Sequence, residues 1–146
     1  MTMPVTDEQE ATLHAQLAGK FDEYVRLLDN LDPVAARSGY SALVSAAFFL
    51  AAEERFPEGT LAAGIIDYVA SVRARTDDTA AIDPVVAERV LLAVGTDEEI
   101  DDIDARASFQ TQRFLLAALI ADAYLNAQQL DDFMLRARRL ADRWLA

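Results

Sequence analysis

Apolar residues recur every three or four positions along most of this chain, and no segment alternates with a period of two over a useful length. The three-to-four period gathers apolar side chains on one face of an α-helix, whereas a half-buried strand needs alternation. The expected fold class is therefore all-α, a compact bundle of five to seven helices. A chain of 146 residues buries roughly 70% of the surface it exposes when unfolded, which suffices for a core without crosslinks. The expected organisation is a single domain over residues 1–146.

Two echoes refine that expectation. Leu31-Asp32-Pro33-Val34-Ala35-Ala36 recurs as Ile82-Asp83-Pro84-Val85-Val86-Ala87, and Leu61-Ala62-Ala63-Gly64-Ile65-Ile66-Asp67 recurs as Leu116-Ala117-Ala118-Leu119-Ile120-Ala121-Asp122, in the same order and at nearly the same spacing. They suggest two related helical hairpin units, residues 31–78 and 82–132, between a leading and a closing helix. Each Asp-Pro step suits a helix start: the carboxylate accepts from the first turn, and proline at N1 gives up no helical hydrogen bond.

Local signals set the expected boundaries. Thr6-Asp7-Glu8-Gln9 reads as a capping box, opening a helix with Leu13, Leu17, Phe21, Val25 and Leu28 in a single stripe. Ser38-Gly39 is a candidate break in the next segment, which from Tyr40 onward is apolar nearly all round, as a central helix is. Phe56-Pro57 stops that helix, Thr60 is expected to cap the following one, and Thr76 to Thr79 reads as the joint between units. Thr96-Asp97-Glu98-Glu99 reads as a second capping box, starting a helical pattern that runs through Phe114 to Leu125. After Leu130-Asp131 a last helix turns Phe133, Ala137, Leu140 and Trp144 inward, and Arg136, Arg138, Arg139 and Arg143 mostly outward.

Composition excludes more than it assigns. The net charge of −12 repels phosphate backbones and anionic lipid, so neither nucleic acid nor membrane is an expected partner. The tract from Phe114 to Ala121 is closed by Asp122, far short of the roughly 20 residues of a membrane span. Met1 to Glu10 has neither the basic start nor the apolar stretch of a secretory leader, and there is no Cys. A cytoplasmic location is the expectation that follows.

No motif specifies a reaction. His14 is the sole histidine, and no Glu-x-x-His pair stands beside it, so neither a metal site nor a cofactor is expected; it reads as a helix-edge residue without a task. Gly39-Tyr40-Ser41-Ala42-Leu43 begins like a nucleophile elbow but lacks its second glycine and any preceding strand. No catalytic residue is assigned, and the chain reads as more a binding module than an enzyme.

Asp97, Glu98, Glu99, Asp101, Asp102 and Asp104 form the densest charge run. It reads either as a solvated helix start, where acids favour the positive pole, or as a docking face for a basic partner, with Asp97, Glu98, Asp101, Asp102 and Asp104 as contacts. A calcium loop is excluded by its missing glycine turn and by Ile100 and Ile103. The four arginines of the last helix are expected to pair with this run. A helix-turn-helix reader over Val85 to Ile103 is rejected, since its recognition helix would bring acids to phosphate.

Asp67 and Asp122 each close a repeated segment, beside Tyr68 and Tyr124. They are candidate buried carboxylates, read either as an acid–base couple or as edge residues paired with arginine or tyrosine. Ala62-Ala63-Gly64 is expected to mark a close helix crossing. Two functions follow from these readings. One is an accessory module that binds another protein, or a second copy of itself, through an apolar helix face rimmed by acids; neutralising a basic partner, as immunity proteins and antitoxins do, is its specific form. The other is a small-molecule-binding bundle.

Overall fold

The computed structural model describes residues 3–77, 82–96 and 99–146. Helices α1 (Asp7–Leu17), α2 (Phe21–Asp29), α3 (Pro33–Arg55), α4 (Ala62–Ala74), α5 (Pro84–Gly95), α6 (Ala105–Ala123) and α7 (Ala127–Leu145) account for most of them, and no strand occurs among the described residues. The chain is an all-α bundle with seven helices among those residues, as its apolar period implies. Two compact units are present, one of Met1–Ala47 with Ile120–Ala146, the other of Phe48–Leu119. These bounds fall inside α3 and α6 and differ from the 31–78 and 82–132 division suggested by the echoes.

In the first unit, Thr6 and Gln9 form the expected capping box, each side chain bonded to the other's backbone N–H. The single stripe from Leu13 to Leu28, however, is broken. Gly19 adopts φ +77°, the Lys20 N–H reaches the Ala15 carbonyl at 2.9 Å and the Gly19 N–H that of Gln16 at 3.2 Å. That paired closure ends α1 where only glycine is unstrained. Beyond it α2 buries Tyr24, while Phe21 and Val25, expected inward, are exposed. Helix α1 packs on α2 and on α7, with Leu13, Met134 and Ala137 nearly inaccessible to solvent.

Helix α3 is continuous through Ser38-Gly39, correcting the expected break. Gly39 is there because the helix backbone passes against the buried Gln9 side chain, which a Cβ at position 39 would strike. Helix α3 is also the one helix among the described residues long and apolar enough to cross a membrane by length and composition, a longer tract than the Phe114–Ala121 one. Its Leu43, Val44, Ala46 and Ala47 are fully buried, a placement that uses its apolar face for the protein's own core. Helix α7 starts earlier than expected, with Asn126 and Gln129 forming a capping box. Trp144, expected inward near its end, is 49% exposed.

In the second unit, α4 packs on α5, and Ile65, Val69, Ile82, Leu91, Leu115 and Leu116 are buried. Thr60 does not cap α4: its hydroxyl donates to the Pro57 carbonyl at 2.7 Å, and Leu61 holds the N-cap position without a side-chain bond. Thr96 is the C-cap of α5, its hydroxyl donating to the Leu92 carbonyl at 2.7 Å. Residues 99–104 are non-helical, and α6 begins only after Asp104, whose carboxylate accepts from the Ala107 N–H. Asp97 and Glu98 lie outside the described residues.

The first echo is real at the local level: Asp32 accepts from the Val34 N–H at 3.0 Å, and Asp83 from those of Val85 and Val86. The second is not. Leu61 precedes α4 and is exposed, whereas Leu116 lies inside α6 and is buried.

Candidate functional site

The polar chemistry of the first unit gathers where α1 meets α7. The imidazole Nε2 of His14 lies 2.9 Å from Asp131 Oδ1, so the histidine read as unused in fact ties the two helices together. Nearby, Arg138 donates to Asp7, Glu10 and the Val5 carbonyl, and Asp142 accepts from the Val5 N–H at 2.8 Å. Residues one turn apart on α7 thus hold both backbone groups of Val5. Hydrogen bonds to Asp7, then Glu10, hold the Arg138 proton more firmly than in an ordinary arginine.

Two shallow depressions adjoin in this unit, and both are lined by His14 and Lys20, the sole histidine and sole lysine of the chain. The smaller, about 260 Å³, also meets Asp7, Glu10 and Glu23. The larger, about 410 Å³, has Leu17, Ile120, Leu125 and Leu130 as its apolar lining. Its polar groups are His14, Lys20, Asn126 and Asp131. Tyr124 also lines it, immediately after α6, with φ +51° and 89% of its surface exposed.

The candidates read from sequence are placed otherwise. Asp67 is exposed on α4 and Asp122 half-buried on α6, so the buried-carboxylate expectation is corrected for Asp67; its side chain keeps its water instead of paying the cost of burial. Of their tyrosine neighbours, Tyr68 is buried edge-on against Phe56, with the Arg55 guanidinium 5.2 Å from both rings, while Tyr124 is the exposed residue described above. Neither Asp67 nor Asp122 lines either depression. Ala62, Ala63 and Gly64 are exposed, and among the described residues a Cβ on Gly64 would meet only Thr60, at 3.7 Å, with no close helix crossing there.

In the acidic run, Asp101, Asp102 and Asp104 are exposed. Asp102 receives two bonds of 2.8 Å from Arg89, which also donates to the Glu99 carbonyl. The hydrogen bonds from Arg89 hold the Asp102 carboxyl below the ordinary carboxylate value. Among the described residues, the partner of Asp102 is Arg89 and not an α7 arginine, and Arg138 pairs with Asp7 and Glu10. Among the described residues, no group of three or more His, Asp or Glu side chains is arranged to hold a metal ion.

One surface was missed altogether. Phe21 and Val25 are 70% and 38% exposed, and they are the only two exposed large apolar residues, among those described, that stand one helical turn apart. No family model, curated protein or solved structure matches the chain.

Proposed function

We propose that the protein is a docking module whose first unit offers α2 to a cationic amphipathic helix of another protein. The observation that carries this reading is the Phe21–Val25 pair. Leu28, half-buried, continues the same line one turn on, so the stripe is long enough to receive successive apolar side chains at helical spacing. Single exposed apolar residues are ordinary, but a contiguous stripe is a recognition feature.

Charge selects the occupant. Asp22 and Asp29 are exposed two turns apart along one border of the stripe, and the chain as a whole carries −12. A second copy of this protein brings like charge, whereas a basic helix brings complementary charge and faster encounter. Neutralisation of a basic partner is the biological form this reading takes.

The test is a titration with a designed Leu/Lys amphipathic peptide and its Leu/Glu counterpart, followed by amide chemical shifts. The Lys peptide is expected to perturb α2, with Phe21→Glu and Val25→Glu together weakening it by about tenfold, or about 1.4 kcal/mol. Equal binding of both peptides, or unchanged affinity in the double variant, refutes the proposal.

A further inference from the structure

We infer that the larger depression, between Lys20 and Tyr124, binds a small aromatic carboxylate. Its volume of about 410 Å³ falls in the range of small-ligand sites, which pair an apolar lining with a few polar groups. The lining supplies Leu17, Ile120, Leu125 and Leu130 for the apolar body. Lys20 supplies the charge, and it makes no ion pair among the described residues. Asp131, the carboxylate of this depression, is hydrogen-bonded with His14, and the Lys20 ammonium is the cationic side chain of the lining that no carboxylate among the described residues pairs with. An anion on the ligand therefore points to Lys20 and away from Asp131.

Tyr124 is the second, independent observation. A tyrosine at φ +51° adopts a backbone that favours glycine, and its ring is left 89% exposed. Neither cost is recovered by packing in the free protein. At the edge of the depression, the ring offers a flat face on which an aromatic ligand stacks, and strain of this kind gathers at ligand sites. Phe21, Val25 and Leu28 do not line this depression, and the inference stands whether or not the α2 stripe docks a helix.

The probes are 4-phenylbutyrate, 4-phenylbutan-1-ol and 4-phenylbutylamine, three molecules with the same body and different heads, titrated into the full chain under amide-shift detection. The acid is expected to saturate shifts around Leu17–Lys20 and Ala121–Ala127, with the alcohol weaker by about fivefold, as for an exposed ion pair, and the amine weaker still. Lys20→Met is expected to lower the acid to the level of the alcohol. Tyr124→Gly is expected to raise Tm while weakening all three ligands, a combination that a purely structural tyrosine does not produce. Equal affinity for the three heads, unchanged acid binding in Lys20→Met, shifts confined to other residues, or no saturation by about 10 mM acid each overturns the inference.

Discussion

Replacing Gly39 by alanine should destabilise this protein, against the usual rule for a helix interior. In an unobstructed helix, Gly→Ala gains about 1 kcal/mol through backbone entropy. Here a Cβ at position 39 meets the Gln9 side chain, its Cδ and Nε2 both at 2.9 Å and its Oε1 nearer still. That side chain is the end of a flexible chain, but it is not free to swing. Gln9 is 3% exposed, and its Oε1 accepts from the Thr6 N–H at 3.1 Å in the capping box. Moving it costs the cap, about 1 kcal/mol, and leaves a buried amide short of a partner, about 1–3 kcal/mol. The balance is a loss of about 1–3 kcal/mol, which for a chain of this size lowers Tm by about 3–9 °C. A double-mutant cycle isolates the cause. In a Gln9→Ala background the obstruction is gone, so Gly39→Ala should recover its ordinary gain and stabilise. Urea denaturation of the four proteins measures both legs. If Gly39→Ala alone raises the midpoint, or costs the same in both backgrounds, the close approach of α3 to Gln9 has no energetic weight.

Removing the α7 clamp with Arg138→Met should cost about 2 kcal/mol by urea denaturation, since Asp7, Glu10 and the Val5 carbonyl lose their common donor together; amide exchange at Val5 should accelerate in the same variant. Gly19→Ala should lower stability by about 1 kcal/mol, because φ +77° strains any side chain although nothing crowds it. Asp102 has a folded pKa below its unfolded one, so its contribution is present above the unfolded value and is lost as pH falls through the folded value. A carboxyl-detected titration should place its midpoint below the ordinary aspartate value, and Arg89→Gln should move it upward; an Asp102 midpoint that Arg89→Gln leaves unchanged would contradict the Arg89 contact.

The sequence was most informative where one residue acts on its own neighbours. Thr6 with Gln9, Asp32-Pro33 and Asp83-Pro84 all cap as their chemistry dictates, because an N-cap needs only groups two or three positions away. Competition misled the same reasoning elsewhere. Thr60 and Thr96 have hydroxyls that can donate to a preceding carbonyl, and both do so, one before α4 and the other at the end of α5. At Gly19, five apolar residues in perfect register hid a helix stop that depended on one left-handed glycine. The pairs that build the first unit, Val5 with Asp142, Arg138 with Asp7 and His14 with Asp131, lie more than a hundred positions apart. No local pattern marks such partners, so the polar cluster around His14 was illegible until α1 and α7 were placed together.

Phe21 and Val25 differ from the other exposed apolar residues in a way that bears on docking. Val34, Leu61, Val85 and Leu135 are exposed as well, so exposure alone selects nothing. The difference lies one turn away. Val34 is followed at that distance by Arg37 and Ser38, Val85 by Glu88 and Arg89, and Leu135 by Arg138 and Arg139, while Leu61 is followed by Gly64 and the buried Ile65. Each is a single apolar point, and a partner helix needs at least two in register to bury more than one side chain. Val34→Glu and Leu135→Glu, on the first unit, therefore serve as matched controls for Phe21→Glu and Val25→Glu, adding the same charge to the same unit. The expected outcome is that only the α2 substitutions weaken the cationic peptide, and that each control strengthens it slightly through added negative charge. A uniform response across all four would mean that the peptide reads net charge rather than a stripe, and α2 would lose its claim as the docking surface.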